Sequence, residues 1–230
     1  MGRSGWLFAG MLSLVVPRLV YADSILDVVA KSTVPWEKYK EKHGVAVERR
    51  AVKGSSFYEY RAVSTMPMAP AALIEVRDNV TFSVRVRADY RRRYDQAGII
   101  VWLDEDNWFK ASVEHEDSAG GRLGSVVTTA GHSDWATRDV PSLPHVWFRL
   151  SRRGPDFLLE ARTGHSWEQL RIFHVAALGS TDPAWGSLAP AEVPASQIRL
   201  GVYACSPEES SFTAVFDEIA LVPSVWDAHV

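Results

Sequence analysis

Glu114 and Glu116 are the pair of side chains in this sequence whose spacing comes closest to a reaction. Two residues apart on an extended strand they share a face about 7 Å apart, inside the roughly 5 to 10 Å that separates the acid and base of glycosidases. A solvated strand end accounts for Glu114-His115-Glu116-Asp117 equally well, since it runs into Gly120-Gly121. A second grouping suits binding rather than bond breaking: Asp95 and Gln96 before one apolar run, then Asn107, Trp108, Lys110 and Glu114 after it. Sugar-binding surfaces stack a flat ring on the apolar face of a pyranose and bond its hydroxyls with amides, carboxylates and ammonium groups. Asp134 and Trp135, in Ser133-Asp134-Trp135, are expected in a loop and could rim the same groove, or fold back as an aspartate turn over the core.

Other chemistries find little support. The seven histidines show no paired metal-ligand spacing, and one cysteine, Cys205, excludes an intramolecular disulfide and a cysteine zinc site. Asp104-Glu105-Asp106-Asn107 is the one candidate for calcium and reads better as a turn whose side chains bond their own backbone. No metal and no cofactor are expected, and no nucleophile elbow marks a serine triad. The net charge of -3 supplies no field for phosphate, and the cluster Tyr90-Arg91-Arg92-Arg93-Tyr94 reads as a solvated turn, so no nucleic-acid partner is expected.

The elements that must position these groups are strands. Apolar residues make up 47% of 230, enough for a packed core. Phe82, Val84 and Val86 alternate with Ser83, Arg85 and Arg87, the period-two mark of a strand with one wet face. Residues 98–103 are apolar throughout, as in a strand covered on both sides, and with 108–116 they form a predicted hairpin across the 104–107 turn. Further strands are predicted at 123–129, 146–152, 157–162, 167–172, 198–205 and 212–221, with turn signals between them. Regular short strands and no sustained helical stripe predict an all-β fold, a two-sheet antiparallel sandwich or a barrel. The proline-rich stretch 177–194 is long for a loop within it.

The N-terminus reads differently. Arg3 precedes an uncharged apolar run from Trp6 to Val16, too short to span a bilayer, and Val20-Tyr21-Ala22 suits cleavage. Residues 1–22 are therefore expected to be a signal peptide, 23–35 a linker, 36–222 the sandwich domain and 223–230 a tail. The mature chain would lie in the secretory pathway or outside the cell with no membrane span; an uncleaved start would make it cytoplasmic. Export would turn Asn79-Val80-Thr81 into a glycosylation acceptor.

The run from Tyr94 through Asp104-Glu105-Asp106-Asn107-Trp108-Phe109-Lys110 resembles the central motif of the "regulation of enolase" type domain family. In order with it come Phe82 to Ala88, Val113-Glu114, Ser125-Val126-Val127-Thr128, Ser133-Asp134-Trp135, Trp147-Phe148-Arg149-Leu150 and Cys205-Ser206-Pro207-Glu208. The resemblance covers about 36–222 and implies a concanavalin A-like jelly roll, a fold shared by lectins, glycosidases and interaction modules, with no active site to carry over. The export-type start and the 177–194 insertion depart from typical members, and the Glu-x-Asp-x-x-Glu strand pattern of laminarinase-like glucanases is absent. The expectation is a non-enzymatic module for a carbohydrate or glycoprotein ligand. Its alternatives are a protein-interaction or regulatory module of metabolism, and a glycoside hydrolase using Glu114 and Glu116.

Overall fold

A computed structural model describes residues 45–51, 58–64, 71–104, 106–116, 120–205 and 210–226, with side chains from 71 onward except at 210 and 211. The signal-like segment, the linker and the domain start near Trp36 lie outside the described residues.

Among the described residues thirteen strands form two antiparallel sheets. One sheet has seven: β1 (Val45–Ala51), β2 (Tyr58–Ser64), β13 (Ser210–Pro223), β4 (Val80–Ala88), β9 (Val146–Arg153), β10 (Asp156–Arg162) and β11 (Glu168–His174), in that spatial order. The other has six: β3 (Ala71–Val76), β12 (Ile198–Cys205), β5 (Gln96–Trp102), β6 (Trp108–Glu116), β7 (Gly120–Thr129) and β8 (His132–Val140). The expected all-β sandwich of concanavalin A-like, jelly-roll type is the fold observed. Phe82, Val84 and Val86 point into the core beside Phe148, Phe157 and Phe216, and Ile99, Val101, Phe109 and Leu123 meet them from the six-stranded sheet. Alternation along each strand thus feeds one shared interior, as period-two patterning requires.

Two strands departed from expectation. Ser133-Asp134-Trp135 lies in β8, not in a loop; every residue from His132 to Asp139 is exposed, so this edge strand has no apolar alternation to betray it. β3 was not anticipated either, because its Ala-Ala-Leu-Ile run is buried on both faces and follows a proline-rich stretch. The expected hairpin stands, with Trp102 opposite Trp108 and Leu103 N–H bonded to the Asn107 carbonyl across the turn. The turn between β7 and β8 has φ of 48° at Ala130 and 78° at Gly131, the double left-handed geometry that matches strand twist in two-residue hairpins.

The 177–194 insertion folds as short 3-10 turns pinned to the end of the sandwich. Asn79, 4% exposed, donates from Nδ2 to the carbonyls of Pro190 and Val193 at 2.7 Å each and accepts from Gly154 N–H at 2.7 Å. Arg153 donates to the Trp185 and Leu188 carbonyls. The expected glycosylation site is corrected accordingly: the Nδ2 that would carry a glycan is buried and already holds two carbonyls, and Thr81 is bonded to Ser151 at 2.8 Å.

Candidate functional site

The interior of the sandwich takes one face of the six-stranded sheet, and Gln96, Lys110 and Glu114 lie on the other. Strand register sorts that outer face into rows. One row runs Leu73, Gly201, Ile100, Lys110, Val126, Trp135; the next runs Ala71, Tyr203, Gly98, Ser112, Gly124, Thr137; a third runs Cys205, Gln96, Glu114, Arg122, Asp139. Glycines occur where strands need close approach: a Cβ on Gly98 would lie 1.9 Å from the Ala111 carbonyl oxygen, and one on Gly201 1.9 Å from that of Ala72. Leu73, Ile100, Trp102, Trp108, Tyr203 and Cys205 make a second apolar cluster here, distinct from the main core.

Set against that cluster is a polar group centred on Gln96, which is 1% exposed. Its Nε2 donates to Glu114 Oε2 at 3.1 Å and to the Tyr94 carbonyl at 3.2 Å. Its Oε1 accepts from Tyr203 Oη at 3.0 Å and from Lys110 Nζ. Both amide protons and both carbonyl lone pairs are engaged, which fixes the amide's orientation and holds Lys110 and Glu114 on either side of it. Lys110 Nζ also lies 5.8 Å from the Tyr203 ring centre.

Burial dominates the electrostatics. It pulls the Lys110 ammonium below the ordinary lysine range, against the attraction of Glu114. It pushes the Glu114 carboxyl up, against the pull of Lys110. Each charge is therefore strained toward neutrality by its surroundings and retained by the other, the state of groups set into a surface before any partner arrives. Cys205 is pushed up to about 12 by the same burial. At pH 8 the native thiol should resist iodoacetamide and react only after denaturation, because the thiolate is the reactive species; stoichiometric native labelling, read by mass spectrometry, would contradict this placement.

The expected site residues divide in two. Lys110 and Glu114 are each bonded to Gln96, and Trp108 and Trp135 share their face. Trp108, at 7% exposure, belongs to the apolar cluster and cannot offer its ring to a ligand, whereas Trp135 is 51% exposed, with the Arg122 guanidinium 5.8 Å from its ring centre. The other three stand elsewhere. Asp95 is buried and accepts the N–H groups of Arg91 and Arg92 at 2.9 Å each, holding the arginine-rich turn. Asn107 donates to Asp104 at 2.9 Å and accepts from Ala130 N–H at 3.2 Å, tying two hairpin turns together. Asp134 points the opposite way from Trp135 and pairs with Arg171 of β11. Sequence reasoning missed Tyr203, Ser112 and Arg122, which reach the cluster only through sheet register.

Glu114 and Glu116 do share the outer face. Glu116, however, is paired with Arg93 at 2.9 Å and Arg122 at 3.4 Å. A carboxylate held by two guanidiniums suits an ion-pair network better than a general base poised over water. Elsewhere on the molecule, the outer face of the seven-stranded sheet carries a ladder in which Arg162 lies 4.3 Å from the Trp147 ring centre and 5.0 Å from that of Trp167, with Arg85 and Arg149 on the far sides. Those indole faces are covered by guanidiniums and leave no flat apolar surface for a sugar.

"Regulation of enolase protein 1" of Saccharomyces cerevisiae is 32% identical over 149 residues, covering 64% of this chain and 66% of that protein, just under two thirds of its length. A functionally unknown protein of known structure from Saccharomyces cerevisiae superposes with a TM-score of 0.59 at 21% identity, over 78% of this chain and 93% of that one. A xylan β-1,4-xylosidase from Bacillus halodurans C-125 superposes with a TM-score of 0.58 at 12% identity, over 76% of this chain but 34% of the enzyme. The last two establish the sandwich and nothing about chemistry. With residues 35–224 matching its family model, this chain belongs to the family described as "Protein of unknown function (DUF1349)".

Proposed function

We propose that the domain is a non-enzymatic binding module that takes a carbohydrate or glycan-bearing ligand on the outer face of the six-stranded sheet. The observation that carries this is the pairing, on one face, of an exposed indole, Trp135, with the half-buried polar heads of Lys110 and Glu114 fixed by Gln96. A ring stacks on the apolar face of a pyranose, while ammonium, carboxylate and the neighbouring Arg122 bond its hydroxyls. Holding the Lys110 and Glu114 charges against burial costs stability, an expense typical of sites kept for function. The export-type start belongs to the same proposal, placing the module where glycans are met. Xylosidase chains share the fold, and that likeness supports the architecture alone.

A glycan array with the full chain tests it. Trp135→Ala is expected to weaken binding roughly tenfold through loss of stacking, with Lys110→Ala comparable or worse. Thermal melting should move little for Trp135→Ala, whose ring is exposed. Absence of any glycan bound by the parent, or unchanged affinity in both variants, sinks the proposal. Trp108→Ala is a poor probe, since it removes core packing.

A second reading, a protein-interaction module regulating metabolism, is favoured by the name of the 32% identical yeast relative. A protein captured from lysate on the parent, lost with Trp135→Ala and retained under competing sugar, would select it over the first.

A further inference from the structure

The two ends of the six-stranded sheet are treated differently. β3 is buried along nearly its whole length, whereas β8 presents eight consecutive exposed residues, His132 to Asp139, on an edge without proline, glycine or lysine. Natural edge strands are ordinarily blunted by shortness, bulges, lysine or proline, because an open row of N–H and C=O groups templates pairing with another chain. β8 carries charge at Asp134, Arg138 and Asp139 but none of those other devices, and its ladder with β7 runs unbroken from Gly121 opposite Val140 to Thr129 opposite His132. β11, an edge of the other sheet, is by contrast disturbed by a register shift at Leu159 and Glu160 on its neighbour.

We propose that β8 is a self-association edge, where two copies of this chain pair antiparallel about a two-fold axis at Ala136 and join their sheets into one continuous sheet. Backbone parity and side-chain charge select this register independently. The two-residue turn makes Thr129 and His132 a hydrogen-bonded pair, so alternate residues His132, Asp134, Ala136 and Arg138 turn their backbone groups to β7. Ser133, Trp135, Thr137 and Asp139 then turn theirs to the outer edge, where no strand pairs with β8 among the described residues. Two-fold antiparallel pairing must match outward residues with outward residues, which confines the axis to residue positions rather than the gaps between them.

Among those positions, an axis at Ala136 sets Asp134 opposite the partner's Arg138 twice over. An axis at Trp135 or Thr137 sets an alanine opposite one of these charges and pairs neither with its opposite. Within one copy Asp134 is paired with Arg171, and Arg138 with Glu168 at 2.5 Å. In the pair these become a line of alternating charge, Arg171, Asp134, the partner's Arg138, the partner's Glu168, with no like charges adjacent. On the opposite face Trp135 falls beside the partner's Thr137 and diagonal to its own counterpart, so the exposed indole gains a neighbour. The contact is isologous and closes at two copies, which is what limits it to a dimer rather than a fibre.

Light scattering on the full chain reads the outcome directly, and no ligand is present, so its result is independent of the glycan-binding proposal. The parent is expected at twice the chain mass. Thr137→Pro removes an edge N–H that β7 does not use, and is expected at a single chain mass with its melting temperature nearly unchanged. Should that variant unfold, crosslinking decides. Ala136→Cys places two thiols opposite each other in a non-hydrogen-bonded pair, roughly 4.5 Å between Cα atoms, within disulfide range. It is expected to form a linked dimer under mild oxidant, whereas Ser133→Cys, opposite the partner's Asp139, stays unlinked. A parent that remains at single mass up to about 100 μM, or Ser133→Cys linking as readily as Ala136→Cys, would overturn the proposal.

Discussion

Asp217→Ala is expected to destabilise the domain by about 3–5 kcal/mol, the range for removing one partner from a buried ion pair. Asp217 is 0% exposed and sits where β13 bulges between Asp217 and Ala220, with Glu218 at φ of 49°. The bulge aims the carboxylate at β4, where Arg85 donates from Nε at 2.6 Å and Nη2 at 3.0 Å, and Arg87 donates from Nη2 at 2.6 Å. The two-pronged geometry raises the Arg85 pKa, first through the hydrogen bond to Asp217, and sets its guanidinium against the Trp147 ring. Deleting the acid leaves two arginines facing each other over a buried gap. The reciprocal change is much milder: Arg87 is 46% exposed, so Arg87→Ala should cost under about 1 kcal/mol, as for other solvent-screened pairs. Denaturant melts of the two variants check the contrast, with a fall of roughly 10 °C in Tm for Asp217→Ala. Equal, small losses in both would mean the carboxylate contributes nothing beyond its surface counterparts.

Asn79→Ala should be nearly as damaging, by about 3 kcal/mol, for a different reason. One amide joins three backbone groups from separate parts of the chain: the carbonyls of Pro190 and Val193 and the N–H of Gly154. Nothing nearby replaces it, since Gly154 has φ of 60° and a Cβ there would already crowd Trp185 and Val193. The isosteric Asn79→Asp should fare no better than alanine, because a carboxylate would face two carbonyl oxygens where the amide donates. In both variants residues 177–194 lose their anchor to the turn between β3 and β4, leaving Arg153 and the Thr181 hydroxyl, which donates to Asp156 at 2.6 Å, to hold them. Limited digestion with a protease of broad specificity should then cut within 177–194 at concentrations that leave the parent whole. An Asn79→Asp variant as resistant as the parent would show that the clamp is not what holds the insertion.

The site was legible where a side chain's role follows from its own strand, and illegible where it follows from a neighbour's. Lys110 and Glu114 could be placed on one face of one strand by counting in twos. Their link through Gln96 on β5 and Tyr203 on β12 could not, since Tyr203 lies 107 residues from Gln96 in sequence and is brought beside it by register alone. Trp108 and Trp135 read alike as aromatic residues near polar ones; packing decided that the first is core and the second is surface. Asp95 and Asn107 were drawn toward the site by residue type, but acid and amide beside a turn serve backbone N–H groups first.

What the sequence determined by itself is the sandwich. Alternating burial is a local property, set by which side chains can leave water, and Phe82, Val84 and Val86 announce it without knowledge of their partners. Only the tertiary structure decided which of the two outer faces sets half-buried polar groups beside an exposed indole, which proline-rich stretch is clamped, and which strand is an edge. Those are outcomes of strand order and register, and β8 makes the reason plain: exposed on both faces, it carries no hydrophobic alternation, so nothing in its residues says strand until a neighbouring strand supplies the hydrogen bonds.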